Sequence, residues 1–229
     1  MGFIRSIGNQ SSSRAYNALK DESLLAPQNI SGLLFDMGGV VFEIDFERAL
    51  QTWSDWTSLP IEEIYHRFEM DEAYEQHERG EIGASEYFAH LRNVLELDAN
   101  DSEIALGWNA IYLEEITETV NYILAVKEKL PCFAFTNSNP THQAYWTVAY
   151  PRAVESFHQI FVSSELGLRK PDREAFEAIS DTTGICLDKM LFFDDTEENV
   201  NGARAAGMQA IHVTAHSDVK NALADIGAL

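Results

Sequence analysis

Acidic and hydroxyl side chains stand at the ends of three short apolar runs in this chain. Asp36 ends the first run and Thr136 ends the second. Asp194 ends the third, and Asp195 follows it directly. Carboxylates gathered at one point repel each other unless a cation joins them, and a site built from oxygen ligands alone favours Mg²⁺. If the fold brings these run ends together, the predicted chemistry is that of Mg²⁺ held by acidic oxygens.

Groups suited to binding an anion lie close to these residues. Gly38 and Gly39 follow Asp36, and backbone without side chains can expose N–H groups that cradle an anion. Thr136 adds a hydroxyl group, and Lys170 adds a positive charge. The set therefore predicts a phosphoryl group held between Mg²⁺ and Lys170.

The apolar runs also predict the elements that position these residues. Short, continuous apolar runs are typical of parallel strands covered by helices on both faces. Strands are predicted over Gly32–Asp36, Cys132–Thr136, Gln159–Ser163, Met190–Asp194 and Gln209–Thr214. Helices are predicted between them over Pro140–Tyr150, Asp172–Thr183 and Thr196–Ala206. This alternation indicates an α/β fold, a doubly wound (Rossmann-like) parallel sheet of about five strands, in which ligands bind beyond the carboxyl ends of the strands.

One segment breaks the alternation. Between Asp45 and Asn121 the chain has helical periodicity and no convincing strand. Its aromatic and large apolar residues recur at three- and four-residue intervals, which indicates a separate core rather than a ligand-stacking surface. These residues are Trp53, Trp56, Tyr65, Phe68, Tyr87, Phe88 and Leu91. The predicted organisation is an N-terminal extension (1–28), an α/β core (29–44 and 122–229) and an inserted helical cap (45–121).

Composition excludes several classes of function. The 229-residue chain has a net charge of −21, which opposes binding to nucleic acid or to an anionic membrane. Much of the excess lies between Asp45 and Ala125, with 14 Glu and 5 Asp against 4 Arg and no Lys. No apolar stretch approaches the roughly 18 residues of a membrane span, and no signal peptide is recognisable.

Cys132 and Cys186 form no metal-binding or disulfide pattern, so we expect a cytoplasmic protein. The oligomeric state is not predicted.

Four segments of the chain resemble, in order, the four motifs of the haloacid dehalogenase (HAD) superfamily. They are Phe35-Asp36-Met37-Gly38-Gly39-Val40, Phe135-Thr136-Asn137, Arg169-Lys170-Pro171 and Phe192-Phe193-Asp194-Asp195-Thr196-Glu197-Glu198-Asn199-Val200-Asn201-Gly202-Ala203. The fourth segment is highly specific for this superfamily. The resemblance extends from about Ser31 to the C-terminus. The helical insert is similar to the cap of the subfamily whose cap follows the first motif.

The resemblance implies a phosphoryl-transfer role for several motif residues. Asp36 would be the nucleophile that forms an aspartyl-phosphate. Thr136 and the backbone near Asn137 would hold the phosphate. Lys170 would neutralise charge on the nucleophile and on the phosphate.

The resemblance also implies a set of metal ligands. Asp36, Asp195 and the carbonyl of Gly38 would bind Mg²⁺. Asp194 would either bind the ion through water or hold Lys170.

Position 38 departs from the pattern of the phosphatases in this superfamily. They usually carry a second Asp two residues after the nucleophile, which protonates the leaving group and then activates water. Gly38 has no side chain, and the loss of such a group costs about 10²–10⁴ in rate. Glu43, Asp45 and His77 are candidate substitutes. The first hypothesis is therefore a Mg²⁺-dependent phosphatase that has a substitute acid or a leaving group that needs little protonation.

A sugar 1-phosphate would suit an enzyme without this acid, because an anomeric oxygen leaves more readily than an ordinary alcohol. Phe42–Phe46, Trp53–Asp55 and Gln76–Ile82 are also similar to segments of bacterial phosphatases that act on α-D-glucose 1-phosphate. The expected partner is thus a small phosphorylated metabolite such as glucose 1-phosphate. Four cap cations are further candidates for substrate contact: Arg48, Arg67, Arg79 and Arg92.

Two other functions stay open at this point. A metal-independent 2-haloacid dehalogenase also lacks the second Asp, because halide leaves without a proton. The pair Asp194-Asp195 argues against it, since paired carboxylates without a cation would be costly beside Asp36. A non-catalytic phosphate-binding module of the same fold is the third hypothesis.

Overall fold

A five-stranded parallel sheet lies at the centre of the computed structural model, which describes residues 30–229. The strands are β1 (Gly32–Phe35), β2 (Phe42–Ile44), β3 (Tyr112–Glu115), β4 (Cys132–Thr136), β5 (Gln159–Val162), β6 (Met190–Asp194) and β7 (Gln209–His212). The order of strands in the large sheet is β5-β4-β1-β6-β7. The predicted α/β class and parallel sheet are confirmed, although three strands end one or two residues before the predicted position. The predicted N-terminal extension lies outside the described residues.

Helices cover both faces of this sheet and form the segment inserted between β2 and β3. They are α1 (Glu47–Ser54), α2 (Ile61–Arg67), α3 (Glu72–Glu78), α4 (Ala84–Leu95), α5 (Asp101–Asn109), α6 (Thr117–Val126), α7 (Pro140–Ala149), α8 (Pro151–Glu155), α9 (Ser163–Leu166), α10 (Arg173–Thr183), α11 (Glu197–Ala206) and α12 (Ser217–Asp225). A short 3₁₀ helix spans Leu187–Lys189. The three helices predicted between the core strands are present within one residue of the predicted bounds.

Alternate residues of the central strands pack on opposite faces of the sheet. Leu33 and Phe35 lie in one hydrophobic cluster with α6 and α12. Leu34 lies in a second cluster with α10 and α11. This arrangement follows from the two-residue period of a strand and from burial on both faces, which explains the continuous apolar runs.

Local signals set the limits of the helices that follow the strands. The Asn139 side chain accepts hydrogen bonds from the N–H groups of Thr141 and His142, both at 3.1 Å, and so caps α7. Pro140 occupies the first turn of that helix, where its missing N–H is not needed. Gly207 caps the C-terminal end of α11 with a positive φ of 101°, a conformation that glycine adopts readily.

The inserted helices α1–α5 have a hydrophobic cluster of their own. Trp53 and Trp108 stack with their ring centroids 5.7 Å apart, and the Trp53 Nε1–H donates to the carbonyl of Ile104 at 3.1 Å. Tyr87 and Phe88 are buried in the same cluster. The prediction that these aromatic residues form a core is confirmed for them, whereas Tyr65 is exposed.

The prediction that no strand lies between Asp45 and Asn121 is wrong. Strand β3 pairs antiparallel with β2, with Phe42 opposite Glu115 and Ile44 opposite Tyr112. The strand is four residues long and only half-buried, so it has no apolar run by which it could be recognised. The pair β2–β3 joins the inserted helices to the sheet.

Helix α6 crosses the predicted boundary between residues 121 and 122. Its residues Val120, Ile123 and Val126 pack into the cluster beneath the sheet. The division into a core and a cap therefore stays a prediction, with α6 on the side of the sheet. No helix among residues 30–229 has the length and the apolar character that crossing a bilayer requires.

Candidate active site

The carboxyl ends of β1, β4 and β6 meet at the floor of a cavity of about 610 Å³. Asp36 follows β1, and its N–H donates to the carbonyl of Phe193 in β6 at 2.8 Å. Thr136 ends β4 and is 6% exposed. Asp194 ends β6 and is 0% exposed. Neighbouring parallel strands thus bring together residues that are up to about 160 positions apart in the chain, as expected for such a sheet.

Lys170 is the central cation of this site. Its Nζ lies 2.7 Å from Asp36 Oδ1 and 2.8 Å from Asp194 Oδ2, and it donates to the carbonyl of Phe135 at 2.9 Å. The side chain is 1% exposed and lies against the ring of Phe192. Burial by itself would lower the pKa of Lys170, but the carboxylates of Asp194 and Asp36 raise it above its ordinary value. Lys170 therefore carries its charge in the folded protein.

Asp194 holds Lys170 in place, which was one of the two predicted roles for it. Its Oδ1 accepts the N–H of Thr196 at 2.8 Å and a hydrogen bond from Asn199 Nδ2 at 3.1 Å. Its Oδ2 accepts the bonds from Lys170 and, at 3.1 Å, from Asn199. Because both oxygens already accept hydrogen bonds, direct coordination of a metal by Asp194 would have to displace them.

Three carboxylates converge at the carboxyl ends of β1 and β6. One oxygen from each of Asp36, Asp194 and Asp195 lies within 4.8 Å of the others. Burial raises the pKa of Asp36 to about 8, although the nearby Lys170 opposes the shift. Burial and the charge of Asp194 also raise the pKa of Asp195. One ammonium group does not balance the two buried carboxylates of Asp36 and Asp194 together with the exposed carboxylate of Asp195, so this donor set fits a hard divalent cation with oxygen ligands.

The structure corrects the predicted role of Gly39. Its N–H donates to the carbonyl of Phe42 at 2.8 Å, so it is not available to a phosphate. Gly39 has a φ of +69°, and a Cβ at this position would lie 2.2 Å from Asp195 Oδ2. Glycine is therefore needed here because the Asp195 carboxylate packs directly against the backbone.

Gly38 lines the cavity beside Asp36. A Cβ built on Gly38 would lie 3.0 Å from Cδ1 of Ile44, a residue of β2. The space that a side chain at position 38 would enter is thus partly filled by Ile44. The predicted role of the Gly38 carbonyl as a metal ligand stays a prediction.

The side chain of Asn137 positions the loop that carries Lys170. Asn137 Oδ1 accepts the N–H of Lys170 at 2.9 Å, and Asn137 Nδ2 donates to the carbonyl of Lys170 at 2.9 Å. Both polar atoms of the amide are therefore occupied by protein. Thr136 and Asn137 line the cavity, so a phosphate contact of the Thr136 hydroxyl or the Asn137 backbone stays a prediction.

None of the three candidate substitutes for the missing acid lines the cavity of the described chain. Glu43 pairs with His216 at 3.1 Å, away from the site. Asp45 accepts the N–H of Glu47 at 2.9 Å at the start of α1. His77 is buried within the cap, on helix α3, and stacks on Tyr87 with a centroid separation of 4.7 Å.

The predicted cap cations are mostly engaged in ion pairs with cap carboxylates. Arg67 pairs with Glu63 and Glu96, and Arg92 pairs with Asp101. Arg79 pairs with three carboxylates: Glu72, Glu75 and Glu81. These three arginines and Arg48 are not among the residues that line the cavity.

Residues to which the sequence analysis assigned no functional role form the far side of the cavity. Arg169, Glu75 and Glu78 supply the charged groups there. The position of Arg169 next to Lys170 and the three-residue spacing of the two Glu on one helix could have indicated them. An apolar wall completes the cavity, made of Phe42, Ile44, Phe46, Met70, Ile111, Tyr112 and Trp146. His142 also lines it and is uncharged, because burial lowers its pKa to about 3.

Comparison with known proteins connects this site to a family of hydrolases. A model described as "Hydrolase: haloacid dehalogenase-like hydrolase" matches residues 30–207. The phosphatase MT3486 of Mycobacterium tuberculosis is 30% identical over 192 residues, which cover 80% of this chain and 86% of that protein. A D-ribitol-5-phosphate phosphatase of Bacteroides thetaiotaomicron is 21% identical over 186 residues, which cover 79% of this chain and 90% of that protein. Among solved structures, the HAD family enzyme BT-2542 of Bacteroides thetaiotaomicron, in complex with magnesium and inorganic phosphate, is 28% identical with a TM-score of 0.71. That alignment covers 80% of this chain and 93% of the other.

Proposed function

Because the chain belongs to the haloacid dehalogenase-like hydrolase family, we propose that it is a Mg²⁺-dependent phosphatase that hydrolyses a small phosphomonoester through an aspartyl-phosphate on Asp36. The observation that carries this proposal is the position of Lys170, whose Nζ lies between the Asp36 and Asp194 carboxylates at the floor of the cavity. A buried cation beside a buried carboxylate provides a nucleophile and an anion site at one point. The names of the phosphatase relatives support the same reaction class.

In the proposed reaction an oxygen of Asp36 attacks the phosphorus atom. The bond between phosphorus and the leaving oxygen breaks, and the electron pair leaves with that oxygen. Lys170 holds Asp36 Oδ1 at 2.7 Å and so fixes the orientation of the nucleophile. Water then attacks the phosphorus of the aspartyl-phosphate, the bond between phosphorus and the Asp36 oxygen breaks, and its electron pair restores the carboxylate. The proton that this water loses to solvent balances the proton that the leaving oxygen takes up from solvent, and inorganic phosphate is released.

The acidic oxygens at the carboxyl ends of the strands would hold the metal. Asp36 and Asp195 are the side chains in position to bind Mg²⁺, and the Gly38 carbonyl is a further candidate. A bound Mg²⁺ would supply positive charge that offsets the repulsion among the carboxylates and the phosphate. The Mg²⁺ complex of the similar enzyme from Bacteroides supports this assignment.

A sugar 1-phosphate such as glucose 1-phosphate is the substrate that we propose. Gly38 provides no acid, and Ile44 lies close to the space that a side chain at position 38 would occupy. A leaving group that needs little protonation therefore fits the site best. The acidic cluster favours this function over a metal-independent dehalogenase, since uncompensated carboxylates beside Asp36 would be costly. The intact set of nucleophile, lysine and acidic ligands favours it over a non-catalytic module.

A substrate panel tests the proposed function. We expect release of phosphate from p-nitrophenyl phosphate and from sugar phosphates in Mg²⁺, and none in excess EDTA. Glucose 1-phosphate should be hydrolysed faster than glucose 6-phosphate because its leaving oxygen is anomeric. Equal rates for the two esters would contradict the leaving-group argument, and release of chloride from 2-chloropropionate in EDTA would establish the dehalogenase instead.

An acid introduced at position 38 should widen the range of leaving groups. In the double variant Gly38→Asp with Ile44→Ala, we expect hydrolysis of glucose 6-phosphate to rise about tenfold or more, and that of glucose 1-phosphate to rise less. Gly38→Asp alone should gain less, because its Cβ would lie 3.0 Å from Ile44 Cδ1. Ile44→Ala alone is the control, and kcat on both esters is the measurement. Equal changes for the two esters would show that protonation of the leaving group does not limit the reaction.

A further inference from the structure

The far side of the cavity holds an ion cluster that joins the cap to the core. Arg169, from the loop after α9, reaches helix α3 of the cap. Its Nη1 lies 3.0 Å from Glu75 Oε1, and its Nη2 lies 3.0 Å from Glu78 Oε2. Its Nε donates to the same Glu78 oxygen at 3.0 Å. Every nitrogen of this guanidinium group therefore contacts a carboxylate.

These contacts mask the positive charge of Arg169. The Glu78 side chain is 5% exposed and that of Arg169 is 18% exposed, so the pair lies mostly out of water. Arg79 also binds Glu75, at 3.1 Å, but it does not line the cavity and has two further carboxylates to neutralise. Among the described residues that line the cavity, Arg169 and Lys170 are the cations, and both are held by two carboxylates each.

This arrangement gives the floor and the far side of the cavity opposite preferences for the charge of a bound group. At the floor, Lys170 and a bound cation would attract the phosphate. At the far side, two carboxylates outnumber one guanidinium group, and carboxylate oxygens only accept hydrogen bonds. Hydroxyl groups of a leaving group can donate to such oxygens, whereas a carboxylate or a second phosphate would be repelled.

We propose that Glu75 and Glu78 determine specificity by masking Arg169, so that the cavity selects uncharged, hydroxyl-bearing leaving groups and rejects anionic ones. This inference rests on the proposed phosphatase function. It goes further because it assigns the selection to two residues of α3 and states which phosphate esters are excluded. The apolar wall and the uncharged His142 add no cation that could accommodate a second anion.

Two esters that differ mainly in charge test the proposal. Glycerol 3-phosphate carries a hydroxymethyl group where 3-phosphoglycerate carries a carboxylate. In the wild type with Mg²⁺, we expect glycerol 3-phosphate to be favoured about tenfold or more in kcat/KM and in inhibition of p-nitrophenyl phosphate hydrolysis. Equal preference for the two esters, or a preference for 3-phosphoglycerate, would overturn the proposal.

Matched variants on helix α3 assign the effect to the masking residues. Glu78→Gln should reduce the discrimination about tenfold, mainly through a lower KM or inhibition constant for 3-phosphoglycerate. Glu75→Gln, at a more exposed position, should act in the same direction and covers the case in which Glu78→Gln folds poorly. Glu72→Gln is the control, because Glu72 also pairs with an arginine, Arg79 directly after this helix, but lies outside the cavity lining. If Glu72→Gln changes the ratio as much as Glu78→Gln, the effect is one of overall charge and the proposal is wrong.

The failure of this proposal can be told apart from failure of the phosphatase function. Binding of both esters to the Asp36→Asn variant, measured by calorimetry with Mg²⁺, needs no turnover. Absence of p-nitrophenyl phosphate hydrolysis by the wild type would overturn the proposed function alone. Equal calorimetric affinities for the two esters would overturn the specificity proposal alone.

Discussion

Replacement of Lys170 by Met is expected to lower the free energy of unfolding by about 3–5 kcal/mol, because it leaves buried carboxylates without their cation. Met has nearly the length of Lys and is apolar, so it can lie against Phe135 and Phe192 as the lysine stem does. The Lys170→Met variant therefore loses the positive charge but keeps most of the packing. Asp194 is 0% exposed, so water cannot replace the hydrogen bond and the charge that Lys170 provides. Urea unfolding in EDTA at neutral pH measures the difference from the wild type.

The double variant Lys170→Met with Asp194→Asn distinguishes loss of charge from loss of packing. Removing both partners of a buried pair costs less than removing one, so the double variant should be more stable than Lys170→Met alone. Lys220→Met, on an exposed position of α12, is the control for a change of net charge. Unfolding of Lys170→Met at the same urea concentration as the Lys220→Met control would contradict this expectation.

Lys170→Met is also expected to lose activity in Mg²⁺ by about 10²–10³-fold, since a fixed charge beside the developing transition state is removed. The loss should appear in kcat rather than in KM alone. A variant that folds and keeps wild-type kcat would show that Lys170 has a structural role only.

Replacement of Asp36 by Asn is expected to abolish phosphate release, with a fall in kcat on the order of 10³-fold or more. The amide keeps the shape of the side chain and can still accept a hydrogen bond from Lys170, but it is not a nucleophile. Phosphate release from p-nitrophenyl phosphate in Mg²⁺ is the measurement. Asp55→Asn, an exposed substitution at the end of α1, is the matched control and should keep wild-type activity.

The same variant should not be less stable than the wild type. Burial raises the pKa of Asp36 to about 8, so its ionised form is unfavourable in the folded protein. A neutral amide removes that cost, and the melting temperature in EDTA should stay equal or rise. A variant that lost activity together with several degrees of melting temperature would point to disturbed structure instead of a lost nucleophile.

Much of the fold and the floor of the site could be predicted from the chain alone. Buried parallel strands need continuous apolar runs. The run Leu33-Leu34-Phe35 therefore predicts a strand from local sequence alone. Residues at the ends of these runs meet at one edge of the sheet, which is why Asp36 and Asp194 could be placed together. The helices after them are marked by local caps such as Asn139.

Other features depended on contacts between distant segments. Strand β3 exists because Tyr112 finds a partner in β2, and its own residues alternate too weakly to predict it. The candidate acids Glu43 and His77 are polar residues of the right type, but their neighbours His216 and Tyr87 hold them away from the cavity.

The sequence by itself determined which residues can perform chemistry at the ends of the strands, because local hydrophobic patterns indicate both which strands are buried and where each apolar run ends. The tertiary structure alone decided what each neighbouring group is free to do. Gly39 uses its N–H on Phe42 and makes room for Asp195, and Arg169 is masked by two carboxylates of α3. Charge pairing and close backbone approach join residues that are far apart in the chain, so they arise only when the folded chain brings those residues together.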